Sequence, residues 1–241
     1  MDIEDFIDTS NRISTIPELF DRFVQALECY GYDRILFALM TDHSALRIEA
    51  KHDFLKTYPH EWIEHYFSEG FIDIDPVRQL VYTRKDIFTW EDIQNAMPLS
   101  KIQQRMFHEA KDGGLHNGMA IPVFGPEGSI ACIGAARSIR QLEQDQQTHK
   151  DLIHLLSLQF YTCFWRLMEQ KPLQLEEVFT DREKDIICWS ARGLSRKQVA
   201  DRLSISEHTV DYHIRKILKK TKTKNLTAAV YQAINRGVVQ L

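Results

Sequence analysis

The sequence predicts an α+β protein: an amino-terminal domain with an antiparallel sheet flanked by helices, followed by an all-α, four-helix module containing a helix-turn-helix. Three observations carry this. Short apolar runs bounded by turn residues alternate with amphipathic helices over the first two thirds of the chain. Residues 195–220, SRKQVADRLSISEHTVDYHIRKILKK, read as a short helix, a three-residue turn and a longer basic helix. Between these regions, Glu169-Gln170-Lys171-Pro172-Leu173-Gln174 has the composition of a linker. The division is therefore 1–169, a linker at 170–177, and 178–241.

In the first domain, Thr15-Ile16-Pro17-Glu18 is a capping box that opens a helix with Leu19, Phe20, Phe23, Ala26 and Leu27 on one stripe, ending at Gly31. Ile35 to Met40, Ala45 to Ala50, Gly118 to Phe124 and Ser129 to Ala136 read as strands, the last two joined by the turn Gly125-Pro126-Glu127-Gly128. Helices are expected around Pro59 to Ser68 and Ser100 to Asp112. A final helix at about Gln144 to Glu169 carries Leu152, Leu155, Leu156, Phe160, Phe164 and Leu167, more apolar surface than one face needs, so it is also available for dimerisation.

In the second domain, Thr180 and Glu183 form another capping box. The helix that follows presents Ile186, Ile187 and Trp189 and stops at Gly193. Val199, Ala200 and Leu203 share one side of the next helix, and Ser206 caps the one after it, with Glu207 at the positive end of the dipole. That longer helix buries Val210, Ile214, Ile217 and Leu218 and presents His208, Asp211, Arg215, Lys216 and Lys219, groups able to read base edges or hold phosphates. A last helix starts at Asn225-Leu226-Thr227 and closes near Gly237.

Composition narrows the function classes. The chain is 44% apolar and 27% charged, its longest apolar runs fall far short of the ~20 residues that span a bilayer, and its acidic start, Met1-Asp2-Ile3-Glu4-Asp5, is no secretory signal. A cytoplasmic location without membrane contact is expected. Cys29, Cys132, Cys163 and Cys188 lack C-x-x-C spacing and read as reduced core or near-core residues. Residues 171–241 hold 14 Lys+Arg against 8 Asp+Glu, leaving 16 against 26 of the chain's 30 and 34 for the rest. A basic module on an acidic body suits nucleic-acid binding.

Catalysis is not expected, nor a metal or cofactor. His60-Glu61-x-x-x-His65 sets its imidazoles about 140° apart around a helix, which does not make a bidentate metal site. No G-x-S-x-G elbow or P-loop is present, and Cys132 has no histidine partner in sequence. A phosphorylated receiver domain would need repeated strand-helix units and an early acidic pair, and neither appears.

The carboxyl-terminal residues carry a family pattern. Thr180-x-Arg-Glu183, Trp189-x-Ala191-x-Gly193, Val199-Ala200-x-x-Leu203 and Ile205-Ser206-x-x-Thr209-Val210-x-x-His213 resemble, in order and spacing, the DNA-binding domain of LuxR-type transcription regulators. The resemblance implies phosphate contacts at Thr209 and Lys216 and a base-facing position at Arg215, with Ser206, His208, Tyr212 and Lys219 in the same DNA-binding set. Asp211, often basic in the family, and Leu194, usually lysine, depart from the pattern.

In the first domain, Tyr58-x-x-x-Trp62-x-x-x-Tyr66 spaces three aromatic donors by four residues, followed by Asp75-Pro76 and Trp90. Such a stripe is ordinarily core, but buried donors and a buried carboxylate need partners, and a small polar ligand would supply them. This set resembles the acyl-homoserine-lactone-binding domain of the same family. The resemblance implies that Trp62 donates to the lactone carbonyl, Asp75 accepts the amide N–H, Tyr58 donates to the amide carbonyl, and Tyr66 and Trp90 pack on the acyl chain and ring. It extends through Phe107, Ala110, Leu115 and Gly118, and through Ile35-Leu36-Phe37-Ala38, whose alternate side chains (Leu36 and Ala38) would line the acyl tunnel. On the last strand, many relatives place a serine or threonine where this chain has Gly134, with Cys132 facing the same side, which implies a lost hydroxyl and added space.

The resemblance implies an amino-terminal α/β/α sandwich and a quorum-sensing homodimer whose ligand is an N-acyl homoserine lactone. Its partner would be promoter DNA bearing an inverted repeat, with RNA polymerase a further candidate. The alternative is a LuxR-type regulator without a cognate synthase, answering to an exogenous or non-lactone small molecule.

Overall fold

Alternation along the strands decides the layering of the first unit. The computed structural model describes residues 3–43, 46, 48–139, 149–169, 179–235 and 238–239. The chain divides into two compact units, Met1–Gly125 with Ser129–Gln170, and Pro126–Gly128 with Lys171–Leu241.

The first unit is built on strands β1 (Arg34–Leu39), β2 (Lys51–Lys56), β3 (Phe88–Thr89), β4 (His116–Phe124) and β5 (Ile130–Arg137), in the order β2-β1-β5-β4-β3 with every pair antiparallel. Because side chains alternate across a strand, Ile35, Phe37 and Leu39 of β1 enter one core while Leu36 and Ala38 enter the other. Helices α1 (Ile3–Arg12), α2 (Ile16–Glu28) and α8 (Lys150–Met168) cover the first face. The second face is covered by α3 (His60–Ser68), α4 (Phe71–Ile74), α5 (Pro76–Val81), α6 (Trp90–Ala96) and α7 (Lys101–Asp112). The result is the expected α/β/α sandwich.

Four local expectations need correction. Thr15 is the N-cap of α2 but makes no side-chain cap hydrogen bond, so no capping box forms there. The second strand runs over Lys51–Lys56 rather than 45–50; residues 44, 45 and 47 lie outside the described residues, and Ile48 makes only an isolated bridge to His43. A half-exposed, charged edge strand does not advertise itself by apolar alternation. Tyr58 precedes α3 rather than sharing its face, because Pro59 occupies the cap position. Cys29 is exposed, whereas Cys132 and Cys163 are buried and Cys188 is intermediate. The expected start of the last helix of this domain, 144–148, and Gly237 lie outside the described residues.

The second unit contains α9 (Asp181–Ala191), α10 (Arg196–Leu203), α11 (Glu207–Thr221) and α12 (Leu226–Asn235). Both halves of the Thr180/Glu183 capping box are made, a second box joins Ser195 and Gln198, and the Ser206 hydroxyl accepts the Thr209 N–H at 3.1 Å. Gly193 sits at φ +84°, where any side chain would be strained. Ile186, Ile187, Val199, Ala200, Val210, Ile214 and Ile217 form the core. Beside it, Glu183 is buried and accepts from the Lys220 ammonium at 2.7 Å, which together with the capping N–H holds its carboxyl below the usual range against the opposing effect of burial.

Candidate functional site

A cavity of about 70 Å³ opens between the second face of the sheet and helices α3, α5, α6 and α7. Its wall brings together every residue singled out in the sequence for ligand contact: Leu36 and Ala38 from β1, Tyr58, Trp62 and Tyr66, Asp75, and Trp90. Phe107, Ala110 and Leu115 close another side, and Cys132 and Gly134 form the floor on β5. Sequence reasoning missed Met40, His52, Ile63, Val77, Arg78, Val81, Met106 and Met119, which share the wall. Arg78 was findable, since it lies one helical turn beyond Asp75.

Local structure explains each placement. Asp75 is the N-cap of α5; one carboxylate oxygen accepts the Val77 N–H at 2.8 Å and the other accepts the Tyr66 hydroxyl at 2.7 Å. Tyr66 therefore does more than pack against a chain. Burial pushes the Asp75 carboxyl up, opposed by those two donors and by the charge of Arg78. Burial and the nearby Asp75 carboxylate also raise the Tyr66 hydroxyl, and burial raises Tyr58. The Cys132 thiol is pushed up to about 12, chiefly by burial, so it is no thiolate nucleophile.

Two glycines set the positions of aromatic rings. A Cβ built at Gly118 would lie 2.2 Å from the Trp90 indole, so that ring occupies the space a side chain would take. At Gly134, a Cβ would lie 2.9 Å from the Tyr58 hydroxyl. The space expected from the missing hydroxyl-bearing side chain is thus taken up by Tyr58, which reaches the strand from the loop before α3.

His52 and Arg78 form the cavity's other polar group. The Arg78 guanidinium donates to His52 Nδ1 at 2.7 Å, and the imidazole stacks on Tyr66 at 5.0 Å and 4°. Burial, reinforced by the Arg78 charge, pushes His52 down to about 4. The histidines of the H-E-x-x-x-H sequence go elsewhere, His65 bonding Glu109 at 2.8 Å and His60 lying 3.4 Å from Glu64.

In the second unit, α11 turns its buried side inward and leaves Ser206, His208, Tyr212, Arg215, Lys216 and Lys219 exposed, with Thr209 and Asp211 half-buried. Asp211 is paired with Arg196 of α10 at 3.0 Å, and Lys216 lies over the Tyr212 ring at 4.7 Å.

Residues 15–164 match the family of autoinducer binding domains, and residues 177–233 match the bacterial regulatory proteins of the luxR family. The chain belongs to the autoinducer-binding LuxR-type regulators. Among its relatives, the HTH-type quorum sensing-dependent transcriptional regulator RpaR of Rhodopseudomonas palustris is 27% identical, with 98% of this chain and 94% of that protein covered. The putative HTH-type transcriptional regulator y4qH of Sinorhizobium fredii is 27% identical over 98% of this chain and 72% of its own length. The fold is that of Escherichia coli SdiA, at a TM-score of 0.73 and 23% identity with all of both chains covered. A second SdiA structure, in complex with octanoyl-rac-glycerol, aligns at a TM-score of 0.71 and 23% identity over 98% of this chain and 94% of that one.

For a LuxR-type regulator, the departures now have physical accounts. Asp211 spends its charge on Arg196 within the helix-turn-helix. Leu194 packs, partly buried, against the helical core, where a lysine would have only its stem to offer. No helix among the described residues is long and apolar enough to cross a membrane.

Proposed function

We propose that this LuxR-type regulator binds an N-acyl homoserine lactone in the cavity and promoter DNA through α11, acting as a homodimer on an inverted repeat. One observation carries the ligand reading: Tyr58, Trp62 and Asp75, two donors and an acceptor, converge on one largely apolar cavity that Trp90 also lines. An amide flanked by a lactone offers the complementary acceptors and donor, and the aliphatic wall suits an acyl chain. The mechanism is linkage. A ligand that binds only the folded domain stabilises it by its concentration relative to its Kd and raises the population competent to dimerise and bind DNA. Two symmetry-related α11 helices would meet half-sites about one helical turn apart.

The test is the melting temperature of the full chain with a panel of acyl homoserine lactones, repeated with Trp62→Phe and Asp75→Asn. Stabilisation by one chain-length class, weakened in both variants, is the expected result. No response to any lactone overturns the reading.

A further inference from the structure

Arg78 is a cation facing a cavity whose wall is otherwise mostly hydrocarbon, sulfur and aromatic rings. Its guanidinium carries five N–H donors, and the contacts of its head group among the described residues are His52 Nδ1 at 2.7 Å and the Met40 sulfur at 3.9 Å. No carboxylate among the described residues lies within ion-pair distance of it; the nearby Asp75 commits its oxygens to Tyr66 and Val77. Because a guanidinium can only donate, His52 must accept at Nδ1, which leaves the ring neutral with its proton on Nε2. Stacked flat on Tyr66 and edge-on to Phe67 at 5.7 Å, that ring acts as a fixed bracket for the arginine.

We propose that Arg78, bracketed by His52, reads an oxygen acceptor on the ligand's chain, so that the cavity prefers an acyl group bearing such an oxygen over a saturated one. This rests on the lactone reading above. A charged donor beside a saturated chain stays unpaired and desolvated, whereas a chain oxygen restores a charge-assisted hydrogen bond. Arg78 follows Asp75 by one turn of α5, so the acceptor-reading group and the amide-reading group stand side by side on the same wall. Arg78 is thus a specificity-determining residue, distinct from the aromatic donors.

The experiment measures Kd and melting temperature of the full chain for homoserine lactones of one chain length: unsubstituted, 3-oxo, 3-hydroxy and terminally carboxylated. The same set is measured for Arg78→Met, Arg78→Gln and Arg78→Lys. At least one oxygenated chain should bind about tenfold or more tighter than the unsubstituted chain. Arg78→Met should erase that preference chiefly by weakening the oxygenated chain, and Arg78→Lys should keep part of it. Which oxygenated chain wins distinguishes a neutral acceptor from a carboxylate. If Arg78→Met does not fold, Arg78→Gln, which keeps a polar head without the charge, tests the same loss. Equal affinity for all chains in the wild type, or a preference that survives in Arg78→Met, overturns the proposal while the lactone reading stands. Failure of every lactone to bind, in wild type and variants alike, overturns both.

Discussion

The two faces of the sheet are made from the same three central strands and do different work. On the face under α1, α2 and α8, Phe37 meets the rings of Phe160 at 5.1 Å, Phe164 at 5.0 Å and Phe54 at 6.1 Å, and the core is packed with large apolar side chains. On the opposite face, β1, β4 and β5 present Ala38, Ala120, Cys132, Gly134 and Ala136, small groups that leave room for a cavity walled by Trp62, Tyr66 and Asp75. The period-2 alternation therefore divides the strands between a packed core and the cavity, with Ile35, Phe37, Leu39, Ile121 and Ile133 at one parity and mostly small residues, Leu36 excepted, at the other.

The comparison breaks most visibly at Phe37. Phe37→Ala should cost about 3–5 kcal/mol, much of a typical domain's stability, with or without ligand. Urea denaturation of the full chain measures it, and a loss below about 1 kcal/mol would mean that the first face is not the stabilising one. On the other face, Trp62→Phe should lower ligand affinity by about ten- to a hundredfold, as expected for one lost buried hydrogen bond, and change ligand-free stability far less. Isothermal titration beside a melting curve separates the two effects.

His52 gives a smaller, pH-dependent contrast. Its folded pKa of about 4 lies below the ordinary 6.5, so it contributes stability that is present above pH 6.5 and lost as pH falls toward 4. Allowing for its partial exposure, the loss should be about 1–2 kcal/mol. The raised carboxyl of Asp75 acts in the opposite sense, so the difference between wild type and His52→Gln across that window isolates the histidine. A parallel pair of curves would deny His52 this role. The smallest stability effect belongs to Gly134→Ala: the new Cβ meets only the tip of Tyr58, so the cost should stay below about 1 kcal/mol while the displaced hydroxyl weakens ligand binding. Unchanged affinity would show that Tyr58 is not held in place from this strand.

Much of this was legible in the sequence, for identifiable reasons. The helices announced by the Thr180/Glu183 capping box and by a capping Ser206 begin where those residues stand, because a cap is a local interaction, whereas the box expected at Thr15 does not form. Boxes with a glutamine three residues on form at Ser100 and Ser195. β2 was displaced from its expected position because an edge strand carrying Lys51, His52, Asp53 and Lys56 satisfies its polar groups in solvent or through Arg78, leaving no apolar period to read. The short helices α4 to α6 run only four to seven residues, too few to show a helical period of their own, and pack through Phe71, Val81 and Ile93. At the cavity, the aromatic spacing and Asp75 were visible because their chemistry is unusual for a core. The Arg78–His52 contact joins residues 26 positions apart, and His43, buried and bonded to Tyr161 at 2.8 Å, spans 118. No local period encodes either.

The clamped carboxylate of Asp75 has a consequence for selectivity between nearly identical ligands. Its rotamer is already held by Val77 and Tyr66, so a ligand that brings an N–H meets an acceptor that needs no ordering on arrival, which avoids about 0.5–1.5 kcal/mol of lost side-chain freedom. The same rigidity makes the site unforgiving. An ester of identical shape would bring a lone pair where the amide brings a proton, and a carboxylate that cannot turn away would face it oxygen to oxygen.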